Sequence, residues 1–123
     1  MAVFRPRLTD ARRREAVARA FSHYGKPYDF EFDFFSTDRL VCTEVVYRAY
    51  DGMIELPLTR ILGRLALPAM TFVQVYKDTR GRATRPFDLV RLLDAEESRG
   101  RAVVAPEAVL LQTLDRSGFT FLR

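Results

Sequence analysis

The sequence predicts an α+β fold in which a small antiparallel sheet packs against two helices. Two apolar patterns at helical spacing, in residues 10–24 and in the residues up to Tyr50, predict the helices. Short β-rich segments near the N-terminus and in the second half of the chain predict the sheet. At 123 residues, 48% of them hydrophobic, the chain is expected to form a single domain over residues 1–123.

The first helix is predicted from about Asp10 to Tyr24. Thr9 is a favourable N-cap, and Asp10 puts a negative charge in the first turn, where the helix dipole stabilises it. Gly25, followed shortly by Pro27, is a helix stop signal. One apolar stripe at helical spacing consists of Val17, Ala20, Phe21 and Tyr24.

Residues 28–35, YDFEFDFF, alternate aromatic and acidic side chains. Strict alternation predicts an extended segment, either paired as a strand or lining a cleft. The aromatic side chains expected on one side of it are Tyr28, Phe30, Phe32 and Phe34. Residues 36–38 are good helix caps, and a second helix is predicted to follow them through about Tyr50.

The rest of the chain alternates short apolar pieces with turn signals. Residues 2–4 are predicted to form a strand, and residues 87–93 and 102–105 to form a hairpin around an acidic turn at 94–100. One or two short helices are expected around residues 59–65, whereas residues 71–77 are compatible with a helix or a strand. Further apolar pieces lie at 106–114 and at 118–122, the last of which is expected to be a strand.

Composition restricts the classes of function. No apolar run is long enough to cross a bilayer and the N-terminus lacks a signal peptide, so the chain as written is expected in the cytoplasm. One cysteine excludes an intramolecular disulfide, and no Cys/His cluster predicts a metal site or cofactor. The net charge of +4 comes without a nucleic-acid recognition motif, so no nucleic acid is expected as a partner. Six arginines within 5–19 fit a solvated helix face, and contact with a membrane surface is an alternative.

Cys42 is the best candidate for a reactive group. It stands where the aromatic and acidic segment runs into the second helix, and a thiol at a helix start meets unpaired backbone N–H groups that favour the thiolate. The helical wheel places it on the face of Val45, Val46 and Ala49, so the thiol is expected to point inward. A small core residue is the structural alternative.

The run from Gly25 to Tyr50 resembles the NlpC/P60 superfamily of papain-like cysteine hydrolases, most closely its circularly permuted YiiX/YebB-like branch. The motif is G-x-P-Y, an aromatic and acidic stretch, then Cys, Ser or Thr, and Glu, opening a helix with V-x-x-x-Y. The matching residues are Gly25, Pro27, Tyr28, Cys42, Thr43, Glu44, Val46 and Tyr50. The likeness is strong over residues 3–50 and weak beyond them.

The resemblance implies a permuted papain-like fold, with the sheet packed against the helix that bears Cys42. It implies that Cys42 is the nucleophile, that its own backbone N–H stabilises the oxyanion, and that Tyr28 lies beside the thiol. Phe30, Phe32 and Thr43 are the residues expected to contact substrate. The implied function is a cysteine hydrolase or acyl transferase that acts on an amide or ester bond of a peptide or lipid.

The chain departs from the pattern in its histidines. Its one histidine, His23, is expected to be an ordinary surface residue on the first helix, and no His follows Cys42. The His-bearing strands that precede the cysteine in the permuted branch are therefore expected to be missing, which makes residues 1–123 a partial domain. A complete enzyme with upstream residues is the favoured explanation; a degenerate relative and a partner chain that supplies the base are the others.

Two further expectations follow. The alternative function is a non-catalytic binding module that holds an acyl chain or peptide in an aromatic groove. A sheet without its first strands exposes an edge, which predicts self-association or pairing with a partner chain.

Overall fold

The computed structural model describes residues 1–114. Its helices and strands follow in the order β1 (Ala2–Pro6), α1 (Asp10–Phe21), α2 (Cys42–Tyr50), β2 (Thr59–Ile61), β3 (Arg64–Ala66), α3 (Met70–Thr79), β4 (Phe87–Glu96), β5 (Arg101–Val104) and α4 (Glu107–Thr113). The predicted α+β class, with small antiparallel sheets, is confirmed. The chain divides into two compact units, one of Leu8–Phe72 and one that joins Met1–Arg7 to the chain from Val73 onward.

The unit that contains β1 is built on a three-stranded antiparallel sheet in the order β1-β4-β5. Phe4 of β1 stacks on Phe87 and on Tyr76 of α3, with ring centroids 5.0 and 5.3 Å apart. Both partners of Phe4 are buried, so they form the core of this unit. The strand predicted at 2–4 and the hairpin of 87–93 with 102–105 are confirmed, although β4 runs on to Glu96 and shortens the acidic turn.

The edges of that sheet are β1 and β5, because β4 occupies its middle. Within residues 1–114, each edge strand has one side without a partner strand, and another chain could pair there. Self-association through such an edge stays a prediction. The piece at 106–114 is now seen to contain α4, and the strand predicted at 118–122 lies outside the described residues.

The other unit packs α1 against α2 and adds the β2–β3 hairpin. The helix predicted around 59–65 is wrong. Leu62 and Gly63 adopt φ of 48° and 82°, and two successive positive φ values are typical of the tight turn that closes a twisted hairpin. Leucine rarely adopts such a conformation, which is why the sequence does not signal this turn. Residues 71–77, compatible with either element, lie in α3.

Helix α1 begins at its predicted residue, and the Thr9 hydroxyl accepts a hydrogen bond from the Arg12 N–H, at 3.3 Å. It ends at Phe21, three residues earlier than predicted. The apolar stripe predicted on this helix lies largely at the surface, since Val17, Phe21 and Tyr24 are 54%, 69% and 89% exposed. The side chain that α1 buries is that of Ala16, at 2% exposure.

None of the helices within residues 1–114 is long and apolar enough to cross a membrane.

Candidate active site

The segment that leads to Cys42 is held by one short parallel bridge. The backbone of Tyr28 pairs with that of Leu40, since Leu40 N–H donates to the Pro27 carbonyl and Asp29 N–H donates to the Leu40 carbonyl, both at 3.1 Å. Leu40 lies two residues before Cys42. The bridge therefore brings the Tyr28 backbone to the start of the helix that carries the cysteine.

The extended conformation predicted for residues 28–35 is wrong, and Asp29 explains why. Its side chain is 99% buried, and its carboxylate accepts the N–H groups of Glu31 at 2.9 Å and of Asp33 at 2.7 Å. A short acidic side chain that captures nearby backbone N–H groups turns the chain back on itself. The turn takes Phe32 to φ 54°. No role was predicted for Asp29, although aspartate side chains commonly accept hydrogen bonds from nearby backbone N–H groups in turns.

The turn separates the aromatic side chains that alternation had placed together. Phe34 is buried, with its ring 5.3 Å from that of Tyr47 on α2. The rings of Tyr28, Phe30 and Phe32 are exposed and cluster around Tyr28, at centroid distances of 4.9 Å to Phe30 and 6.2 Å to Phe32. We call these three residues the aromatic cluster. The predicted substrate contacts Phe30 and Phe32 thus lie in one exposed cluster with Tyr28.

Cys42 is the first residue of α2, as the sequence indicated, but its side chain is exposed and does not point inward. Residues 36–38 do not cap the helix; the N-cap is Val41, whose backbone is extended. The first turn of a helix can show its N1 side chain to solvent even when later residues on that face are buried, as Ala49 is. The nucleophile candidate is therefore accessible.

The backbone at the helix start leaves hydrogen-bond donors free. Glu44 N–H donates to the Val41 carbonyl at 3.0 Å, whereas the N–H groups of Cys42 and Thr43 have no acceptor within residues 1–114. Unpaired N–H groups at a helix N-terminus attract negative charge. Thr43 itself is half-buried. An exposed thiol beside two free N–H groups is suited to attack a carbonyl and to stabilise the oxyanion that forms.

Glu44 stabilises the start of α2 from a buried position. Its side chain is completely buried, and one carboxylate oxygen receives both Nε and Nη2 of Arg48, at 2.8 and 2.6 Å. The other oxygen accepts the Val41 N–H at 3.4 Å, and Arg48 Nη2 also donates to the Ser36 carbonyl at 2.8 Å. The pair thereby ties the preceding loop to the turn that presents Cys42. The i,i+4 spacing of Glu44 and Arg48 is the sequence signal that could have predicted this ion pair.

His23 is not the ordinary surface histidine that the sequence predicts. It is half-buried in the turn after α1, and its Nδ1 atom is buried with no hydrogen-bond partner among the described residues. Burial lowers the pKa of His23; the charges of Lys26 and Arg48 lower it further, and Glu44 opposes them. The ring lines a cavity of about 250 Å³ whose other walls are Ala20, Phe21, Tyr24 and Val45.

Within residues 1–114, no three or more His, Cys, Asp and Glu side chains come together as a metal site.

The model of one protein family, described as permuted papain-like amidase enzyme, YaeF/YiiX, C92 family, matches residues 1–112. The chain belongs to this family. Membership makes the protein a relative of circularly permuted, papain-like hydrolases, and it agrees with the mixed α+β architecture. Searches of curated proteins and of solved structures found no significant match.

Proposed function

We propose that this C92-family protein is a cysteine hydrolase or acyl transferase, with Cys42 as its nucleophile and an amide or ester of a peptide or lipid as its substrate. The observation that carries the proposal is the exposed Cys42 thiol at the first position of α2, beside the free N–H groups of Cys42 and Thr43. We also propose that the protein belongs to the NlpC/P60 superfamily and that it acts as a thiol protease. These two proposals rest on the run of residues from Gly25 to Tyr50.

The proposed reaction has two steps. The Cys42 sulfur, as thiolate, attacks the acyl carbonyl and forms a C–S bond, while the carbonyl oxygen takes up the negative charge beside the free N–H groups. The oxyanion then collapses to a thioester, the C–N or C–O bond breaks, and the departing amine or alkoxide takes a proton. Water, or an acceptor nucleophile in a transferase, next attacks the thioester and releases the thiol.

We assign no side chain as the proton acceptor of this reaction. His23 is the one histidine in 123 residues, and its neighbours on α2 are Val45, Glu44 and Arg48. We therefore assign His23 no catalytic role. An aryl ester, whose leaving group needs no proton, is the suitable first substrate for testing Cys42 alone.

The experiment compares two reactions of the same sulfur. Iodoacetamide alkylates a thiol without forming an oxyanion, whereas p-nitrophenyl acetate acylates it through one, so the ratio of the two rates isolates the backbone donors. We expect this ratio to be about 10- to 100-fold higher in the folded chain than in the chain unfolded in urea, because a single oxyanion donor contributes about 100-fold or more in established enzymes. Cys42→Ala, which has no thiol, is the blank for both reactions.

Equal ratios in the folded and unfolded chains, or acetylation that survives Cys42→Ala, would overturn the assignment of Cys42. Mass spectrometry of the acetylated peptide identifies the modified residue.

A second candidate function is a non-catalytic module that holds an acyl chain or peptide against the aromatic cluster. The observation in its favour is the exposure of Tyr28, Phe30 and Phe32 as one group of rings. The module predicts that Cys42→Ala binds a fatty-acyl amide as tightly as the unaltered chain does, and that Phe30→Ala weakens binding. Calorimetry measures both, with Phe35→Ala, an exposed aromatic outside the cluster, as the matched control.

A further inference from the structure

Helix α1 carries an outward apolar surface that the site around Cys42 does not explain. Its members, Val17 and Phe21 on the helix and Tyr24 in the turn after it, are each more than half exposed. We call these three residues the α1 stripe. Apolar side chains at helical spacing on the exposed face of a helix are typical of a surface that meets a partner or a membrane.

Cationic side chains precede the α1 stripe on the same helix. Arg12, Arg13 and Arg14 are all exposed. Arg13 pairs with Asp10, but neither Arg12 nor Arg14 has an ion-pair partner within residues 1–114. Arg13 and Arg14 stand four and three residues before Val17, so they lie next to the α1 stripe along the helix surface.

We propose that the α1 stripe, together with Arg13 and Arg14, docks the protein on a lipid bilayer with anionic headgroups. Phenylalanine and tyrosine rings are stable at the boundary between headgroups and acyl chains. Arginines one turn away would meet lipid phosphates at the same depth, and each basic residue near an anionic leaflet strengthens binding. The proposal is independent of any chemistry at Cys42.

Charge favours a membrane over a second copy of this chain as the occupant. Helix α1 holds four arginines against one Asp and one Glu, a net charge of +2. Two copies that paired through this face would bring like charges together, whereas an anionic bilayer neutralises them.

The test is co-sedimentation of the full chain with vesicles of phosphatidylcholine alone and of phosphatidylcholine mixed with phosphatidylglycerol. We expect binding to the mixed vesicles that weakens as salt is raised, and little binding to the neutral ones. Arg13→Gln together with Arg14→Gln should weaken binding about 30-fold, from the usual contribution of a basic residue near an anionic surface. Phe21→Ser together with Tyr24→Ser should weaken it at least about tenfold.

Matched controls come from the unit that joins Met1–Arg7 to the chain from Val73 onward. Arg82→Gln with Arg91→Gln removes the same charge from exposed positions, and Val104→Ser removes an equally exposed apolar side chain. These variants should bind as the unaltered chain does, and circular dichroism checks that every variant is folded.

Three outcomes would overturn the proposal: no binding to the mixed vesicles at low salt, equal binding to neutral vesicles, or equal losses in the control variants. Sedimentation velocity distinguishes the other occupant, because a dimer that Phe21→Ser dissociates would show that the α1 stripe serves a second copy instead.

Discussion

Helices α1 and α2 pack against each other, yet they use their apolar residues in opposite ways. Helix α2 buries Ala49 together with a charged residue, Glu44, whose partner Arg48 lies one turn along. Helix α1 buries Ala16 and leaves its large apolar side chains outside. Helix α1 therefore buries a small side chain and exposes bulkier apolar ones, whereas α2 buries a charged side chain beside a small one.

The largest expected effect comes from removing the buried charge on α2. Glu44→Gln should lower the free energy of unfolding by about 3 kcal/mol, because it leaves the partly buried Arg48 without its counter-charge and weakens the bond to Val41. Glu15→Gln is the control on α1: it breaks the exposed pair with Arg19 and should cost less than about 1 kcal/mol. Urea unfolding measures both, and similar losses would contradict the account of the two helices.

The buried position on α1 is tested by enlarging its side chain. Ala16→Leu adds three carbon atoms at a position that is 2% exposed and should cost about 1–3 kcal/mol. Ala18→Leu, on the exposed side of the same helix, should change stability by no more than about 0.5 kcal/mol. If Ala16→Leu proved neutral in the same urea assay, Ala16 would not be closely packed in the folded chain.

The smallest effect concerns His23, which lies beside both helices. Its pKa is lowered from 6.5, chiefly by burial, so the unfolded chain binds a proton more readily than the folded chain does as pH falls through that value. Protonation therefore destabilises the fold on the acid side. We expect the free energy of unfolding to fall as the pH is lowered from about 7.5 to about 5.5, the range in which histidine titrates. This decrease should be smaller in His23→Gln than in the unaltered chain, and urea unfolding at each pH measures it. Identical pH profiles for the two chains would show that His23 is not perturbed.

Much of the fold could be read from local signals. Thr9 and Asp10 marked the start of α1, and alternation with turn residues marked the hairpin of β4 and β5. The turn at Leu62 and Gly63 could not be read, because leucine carries no preference for the backbone conformation that it adopts there.

The candidate site was predicted in part. The prediction that Cys42 stands at the start of a helix is confirmed, whereas the prediction that its thiol points inward is wrong. A helical wheel shows which residues share a face of a helix, but not which other segments cover that face. The alternation of residues 28–35 also did not predict that Tyr28, Phe30 and Phe32 form one cluster while Phe34 packs elsewhere. This grouping depends on Asp29, whose buried carboxylate folds the segment only when residues 28–40 come together.

The sequence by itself determined the α+β class, the N-cap of α1, the position of Cys42 at a helix start and the run of residues that resembles permuted papain-like hydrolases. Those features follow from preferences of neighbouring residues, which act over one or two turns of chain. Only the tertiary structure decided which face of α1 is buried, how the Asp29 turn sorts the aromatic rings, and that Glu44 and Arg48 fasten the start of α2. Which side chains are buried depends on which segments come into contact, and neighbouring residues in the sequence do not determine this. An ion pair such as that of Glu44 and Arg48 affects stability strongly only when the surrounding chain excludes water from it.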